Sequence, residues 1–352
     1  MTNHFHCDIR EVFACKTAIG KDAQTAPGKE AGIHKTAEIC AKFVSFFLRF
    51  RIARDFSLMD FPPKGREKMK IAVSCYSYYQ AIRDGRMTLM DIIPKAKEMG
   101  YEGIEIVSWG DPYEKMLQSA KELKKQSEDV GLPIIAYLTG ADFLKNDMNE
   151  QVDALKRDLD IAAVFGVTRM RHDSTSGYDK DGKLVAIDDA LPIVAEGYRR
   201  VTEHAETMGI STMIENHGYY FQHSSRVKRL MEAVDHKNFG WLVDMGNFMC
   251  ADEKSTDAVK NAAPYAVHVH AKDFHYKKKG EYIPPQRWFP TADGNSLRGA
   301  IIGHGVVNVP ECLNIIKAHG YDGWLSVEFE GMEDCIQGLA YNLANLKEML
   351  NK

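Results

Sequence analysis

Four residues with metal-ligand chemistry stand at the ends of four successive apolar runs: Glu215, Asp244, His270 and Glu328. The runs read Met213-Ile214-Glu215-Asn216-His217, Leu242-Val243-Asp244-Met245-Gly246-Asn247, His268-Val269-His270-Ala271-Lys272-Asp273 and Ser326-Val327-Glu328-Phe329-Glu330. One acid at the end of one run is commonly a cap or a salt-bridge partner. Glu, Asp, His and Glu at four run ends in succession is a much rarer coincidence. Carboxylates with one imidazole suit a single divalent ion, with Mn²⁺ the leading expectation and Mg²⁺, Co²⁺ or Zn²⁺ the alternatives. The chemistry that follows is enolisation. A proton α to a carbonyl is too weakly acidic for an unaided carboxylate, and Lewis-acid polarisation supplies the missing help. Two carboxylates flanking one substrate plane can then remove and return the proton.

Such residues converge only if their runs are neighbours in space. From Lys70 onward the chain alternates β-rich runs with helical patterns. The expected strands are Ile71 to Cys75, Gly103 to Ser108, Pro133 to Thr139, Val167 to His172, Thr212 to Asn216, Gly240 to Met245, Ala266 to Ala271 and Trp324 to Phe329. Most are continuously apolar, as parallel strands buried on both faces must be. The expected helices are Leu89 to Met99, Tyr113 to Val130, Asn149 to Phe165, Ala190 to Met208, Ser225 to Val234, Val309 to His319 and Glu333 to Leu350. Gly100, Gly131, Gly166, Gly209 and Gly320 close five of them with the usual C-terminal stop. Repeated strand–helix alternation predicts an α/β fold, a (β/α)₈ TIM barrel, whose strand C-termini share one mouth. An open doubly wound sheet is disfavoured, because no G-x-G-x-x-G follows the first strand.

From about Met69 to the C-terminus the sequence resembles the xylose isomerase-like barrels of the sugar phosphate isomerase/epimerase family. That group includes ketose 3-epimerases, hydroxypyruvate isomerase and endonuclease-IV-type repair enzymes. The resemblance rests on I-E-N-H at the fifth strand, L-V-D-M-G-N at the sixth, V-H-V-H-A-K-D at the seventh and G-Y-D-G-W-L-S-V-E at the eighth. It implies that Glu215 and Glu328 are both ligands and the acid/base pair. It also implies that His270 rather than His268 binds the metal, leaving His268 as a core histidine. The implied activity is a metal-dependent sugar or sugar-phosphate isomerase or epimerase. Dehydratases, C-glycoside deglycosidase subunits with a small β partner chain, and a non-catalytic sugar-binding barrel are the alternatives. Many members carry D-x-x-H after the sixth strand, where this chain has Asp244-Met245-Gly246-Asn247. The second and third strands end Ser108-Trp109 and Thr139-Gly140, without the histidines that a multi-metal nuclease site needs.

Further candidates for contact with a substrate are His172, His217, Asn247, Lys272, Glu105, Trp109 and His304. His172 is expected to reach a substrate hydroxyl from the fourth strand end. Lys272 is expected to polarise a substrate oxygen or to pair with Asp273. The long stretch from Phe274 to Gly305 is expected to be an irregular lid over the mouth. Residues 1 to 69 break the rhythm. They hold one expected helix, Thr36 to Asp55, and otherwise read as a poorly ordered extension, or as upstream sequence joined by start-site choice, before a barrel spanning residues 70 to 352.

Bulk properties agree with a soluble enzyme. A net charge of −4 supplies no basic field for nucleic acid. The cysteines are odd in number and form no C-x-x-C pair, so free thiols in a reducing cytoplasm are expected. No apolar run reaches the roughly 18 residues of a membrane span. The expected partner is a small carbohydrate, and a homo-oligomer is left open.

Overall fold

The computed structural model describes residues 69–351. The expected helix from Thr36 to Asp55 lies outside them, as does all but the last residue of the expected extension. Eight strands close into a parallel barrel: β1 (Lys70–Ser74), β2 (Gly103–Val107), β3 (Ile134–Thr139), β4 (Arg169–His172), β5 (Ser211–Glu215), β6 (Phe239–Asp244), β7 (Ala266–Ala271) and, as the last stave, β11 (Trp324–Val327). Neighbours pair in sequence order, and β11 closes the ring between β7 and β1.

Each strand carries two buried faces. On the inner face Ala136, Leu138, Met213 and Leu242 fill the barrel. The outer residues Ile104, Ile106, Met170, Ile214, Trp241, Val243, Val269, Leu325 and Val327 join the much larger core beneath the helices. This is why the strands read as unbroken apolar runs rather than as alternations.

The surrounding helices are α1 (Tyr79–Arg83), α2 (Ile92–Met99), α3 (Tyr113–Val130), α4 (Met148–Phe165), α5 (Ile187–Thr207), α6 (Ser224–Val234), α7 (Ser255–Ala262), α8 (Val309–Ala318) and α9 (Cys335–Asn351). In α3 the buried residues Met116, Ala120, Leu123 and Ser127 recur at three- and four-residue spacing, one stripe of a helix against the sheet. Gly131 ends it at φ 63°, a left-handed conformation that costs a residue with a Cβ about 1–2 kcal/mol. Asp147 caps α4 by accepting from the N–H groups of Asn149 and Glu150. The expected helices are all present, with ends shifted by a few residues. Two short ones escaped the periodicity, α1 and α7. Each offers too few apolar positions to repeat a pattern.

The stretch after β7 corrects an expectation. Instead of an irregular loop it forms a three-stranded antiparallel sheet: β8 (Asp273–Lys277), β9 (Phe289–Pro290) and β10 (Ser296–Ala300), in the order β8-β10-β9. Phe274 and Leu297 pack with Cys250 as its own small core. The sheet is tied to three other loops. Tyr219 donates its hydroxyl to the Pro290 carbonyl at 2.7 Å, Arg287 donates to Gly331 O at 2.8 Å, and Asn295 donates to Asp252 Oδ1 at 2.8 Å. Among the described residues no helix is long and apolar enough to cross a membrane.

Candidate metal centre and active site

Parity along the strands brings the four run-end residues together. In β5 the inner positions are Met213 and Glu215; in β6 they are Leu242 and Asp244. In β7 they are His268 and His270, with Lys272 continuing the same face. Ser326 and then Glu328 follow on β11 and just beyond it. One ligand atom each from Glu215, Asp244, His270 and Glu328 lies within 4.8 Å of all the others. His270 Nδ1 is 3.7 Å from Glu215 Oε1, 3.8 Å from Asp244 Oδ2 and 3.7 Å from Glu328 Oε2. Atoms bound at about 2.0–2.2 Å to a shared ion stand roughly 3–4.3 Å apart, so these spacings fit one cation.

The donors are prepared as well as close. Asp244 Oδ1 accepts from the backbone N–H groups of Gly246 (2.8 Å) and Asn247 (2.9 Å). Its Oδ2 is buried and has no hydrogen-bond partner, and neither has His270 Nδ1. Two buried polar atoms without a hydrogen bond, 3.8 Å apart, are destabilising, and a shared cation would satisfy both. Asn216 fixes the Asp244 backbone from the outer side. It donates to Asp244 O and accepts from Asp244 N and from the Trp241 indole.

Each glutamate has a cationic neighbour. Arg171 donates from Nε to Glu215 Oε2 at 2.7 Å and from a terminal nitrogen at 2.5 Å. Burial would raise the Glu215 carboxyl, but the guanidinium, aided by His270, holds it well below the usual carboxylate range. Lys272 Nζ lies 2.5 Å from Glu328 Oε2 and 3.5 Å from Asp244 Oδ2. There too burial is outweighed, and Lys272 with His270 pulls the Glu328 carboxyl below its ordinary value. Burial likewise opposes a charged Lys272, yet Glu328, Glu330 and Asp244 keep its ammonium charged well past the ordinary lysine range. Both glutamates are therefore favoured in the carboxylate form, the form a metal requires.

The other candidates divide. Asn247 is 3% exposed and spends both ends of its amide inside the cluster. It donates to Glu215 Oε1 and accepts from Lys272, each at 3.1 Å. It thus braces the Glu215 carboxylate from within the cluster. His217 sits half exposed at the mouth, its Nδ1 3.0 Å from Asp173 Oδ1. Burial opposes its charge, but Asp173 raises its pKa above the ordinary histidine value. Trp109 lies at the rim, stacked on Tyr79 at 6.3 Å, and Tyr79 stacks on Tyr76 at the same spacing. Glu105 lies deeper in the barrel. Its Oε1 is 2.8 Å from His270 Nε2, close but off the line of an ideal hydrogen bond, and its Oε2 is 2.9 Å from His268 Nε2.

Three expectations are corrected. His172 points outward, stacked on Tyr198 at 4.3 Å and edge-on to Phe143, its Nδ1 against the Asp173 carbonyl. His304 is exposed and lines a groove with Pro310 and Asn314 of α8 and Asn345 and Met349 of α9, outside the mouth. Asp273 does not pair with Lys272; it accepts the backbone N–H groups of Phe274, Gly303, Gly305 and Val307. Arg171 and Asp173 are functional candidates that the sequence reading passed over. In β4 the register places Arg171 beside Leu138 and Met213, both inner residues, and His172 beside Thr139. The signal was available by counting parity from neighbouring strands, but not from hydrophobicity.

Comparison with known proteins agrees with this architecture. The inosose dehydratase of Geobacillus thermodenitrificans is 24% identical over 255 residues, covering 70% of this chain and 83% of that protein. The probable 3-DHS dehydratase AsbF of Bacillus anthracis superposes with a TM-score of 0.61 at 18% identity, over 79% of this chain and 99% of that one. A D-psicose 3-epimerase superposes with a TM-score of 0.59 at 15% identity, over 81% and 100%. The signature of the xylose isomerase-like TIM barrel matches residues 93–349, and with this fold and this cluster the chain belongs to that family.

Proposed function

We propose that this protein is a divalent-metal-dependent sugar or sugar-phosphate isomerase or epimerase, working by proton transfer α to a carbonyl. The observation that carries the reading is the convergence of Glu215, Asp244, His270 and Glu328, with His270 Nδ1 and Asp244 Oδ2 buried and without a hydrogen bond. A divalent ion held by these four, Mn²⁺ being the leading choice, supplies Lewis-acid polarisation of the substrate carbonyl.

The chain's own residues do the rest. Glu215 and Glu328 belong to staves separated by β6 and β7, so they approach a substrate in the mouth from different sides. One takes the α proton and the other returns one. Return to the same carbon from the opposite face gives an epimer; return to the adjacent carbon gives an isomer. Arg171 and Asn247 hold Glu215 in one orientation, and Lys272 offers positive charge beside Glu328 for the developing enolate oxygen. Trp109, Tyr79 and Tyr76 form an aromatic edge suited to the apolar face of a sugar ring.

A second reading is favoured by a specific observation. Dehydration of a β-hydroxy ketone needs an acid to protonate the departing hydroxyl. His217, exposed at the mouth and with its imidazolium form favoured by Asp173, is placed to supply that proton. The relatives named as dehydratases support this branch. One experiment separates the readings: incubation with Mn²⁺ in D₂O across ketoses, ketose phosphates, keto-glycosides and cyclic polyhydroxy ketones, followed by NMR and mass spectrometry. Deuterium at carbon with composition otherwise unchanged supports the isomerase or epimerase. Loss of one water supports the dehydratase. Absence of exchange with every substrate would sink enolisation altogether.

A further inference from the structure

One layer below the candidate centre lies a polar group to which the proposed chemistry gives no task. Glu105 on β2, His268 on β7 and Ser326 on β11 are all fully buried. Glu105 Oε2 is 2.9 Å from His268 Nε2 and accepts from Ser326 Oγ at 3.0 Å; Oε1 is 2.8 Å from His270 Nε2. Apolar side chains of similar volume would stabilise such a layer at least as well as a buried charge does. A carboxylate in this layer points to another duty.

The acceptor-only character of the carboxylate, set against both imidazoles, points to that duty. A carboxylate offers only lone pairs: His268 Nε2 hydrogen-bonds Oε2, and His270 Nε2, 2.8 Å from Oε1 though off the hydrogen-bond line, escapes lone-pair repulsion only as Nε2–H. In neutral His270 the remaining lone pair is then on Nδ1, the nitrogen that faces Glu215, Asp244 and Glu328. The opposite tautomer would set a lone pair against the carboxylate and an N–H against any cation. We propose that Glu105 is a positioning residue. Braced by His268 and Ser326, it locks the His270 ring in the orientation and tautomer that aims Nδ1 into the cluster.

This inference rests on the reading of the four-residue cluster as a cation site. Glu105, His268 and His270 could also be taken for the ligands of a second ion. Their separations are hydrogen-bond lengths, however, and a neutral imidazole has one lone pair to give, which His270 directs to the upper cluster. A single ion per chain is therefore expected.

The test is titration of the metal-stripped full-length chain with Co²⁺, reading affinity, stoichiometry and the visible d–d band. Wild type should bind one Co²⁺. Glu105→Leu should weaken binding about 10–100-fold, the range for loss of a partner that orients a ligand. Glu105→Gln, which keeps an acceptor oxygen, should recover much of that loss. Unchanged affinity in Glu105→Leu, or two ions per wild-type chain, overturns the positioning role while leaving the cluster reading intact. No Co²⁺ bound by folded wild type overturns both. Should Glu105→Leu not fold, ¹⁵N-histidine NMR of the Zn²⁺-loaded wild type decides, with the His270 signal assigned by its loss in His270→Gln. Metal on Nδ1 with the proton on Nε2 is expected; metal on Nε2 refutes the proposal.

Discussion

Asp244 illustrates how neighbours aim one carboxylate oxygen. Two backbone N–H groups of the turn that follows it hold Oδ1, and Oδ2 is thereby aimed at His270. Asp244→Ala should therefore abolish both divalent-metal affinity and turnover, measured by titration and by the exchange assay; full activity in that variant would refute the proposed centre. Arg171 makes a different prediction. Its guanidinium and the Glu215 carboxylate are almost completely buried, and removing one partner of a buried pair leaves an uncompensated charge. Arg171→Met should destabilise the metal-free chain by about 3–5 kcal/mol, visible as a lower midpoint in denaturant. A loss below about 1 kcal/mol would mean that water reaches Glu215.

At the scale of elements, the three-stranded sheet after β7 shapes one side of the mouth. Its middle strand, β10, passes very close to the chain just beyond β11. A Cβ placed on Gly299 would stand 2.6 Å from the Glu330 carbonyl carbon and oxygen, and Gly299 bridges Gly331 directly. Gly299→Ala must push the sheet away from the segment that carries Glu328 and Glu330. Overpacking of this kind costs about 1–3 kcal/mol, so Tm should fall. Because Glu328 moves with that segment, kcat/KM should fall with it. An unaffected Tm would show that the sheet yields freely, as a lid would. The anchors at Tyr219, Arg287 and Asn295 argue instead for a fixed wall.

For the whole molecule, the proposed centre would link metal to stability. Without a cation, Glu215, Asp244 and Glu328 face one another across a few ångströms inside the barrel, with Arg171, Lys272, His270 and His217 opposing their repulsion. A cation that binds the folded chain and not the unfolded one stabilises by RT ln(1 + [M]/Kd), about 2.7 kcal/mol at a hundred times Kd. Thermal melts with Mn²⁺ and with excess chelator should differ accordingly, and the difference should vanish in Asp244→Ala. Equal melting temperatures for the wild type in both conditions would argue against a site in this barrel.

Much of this protein follows from its order of residues alone. Continuous apolar runs, helical stripes and glycine stops such as Gly131 and Gly166 specify the alternation, and eight repeats specify the closed barrel. Glu215, Asp244, His270 and Glu328 announce themselves because each ends such a run. Tertiary structure decided which face each side chain takes. Parallel strands buried on both sides carry no polar–apolar alternation, so nothing local distinguishes Arg171, which enters the barrel, from His172, which leaves it for Tyr198. The partners of Asn247, Lys272 and Asp273 are likewise fixed by chain segments far away in sequence. Glu105 reaches His270 across 165 positions, and only closure of the barrel brings β2 and β7 to the same layer.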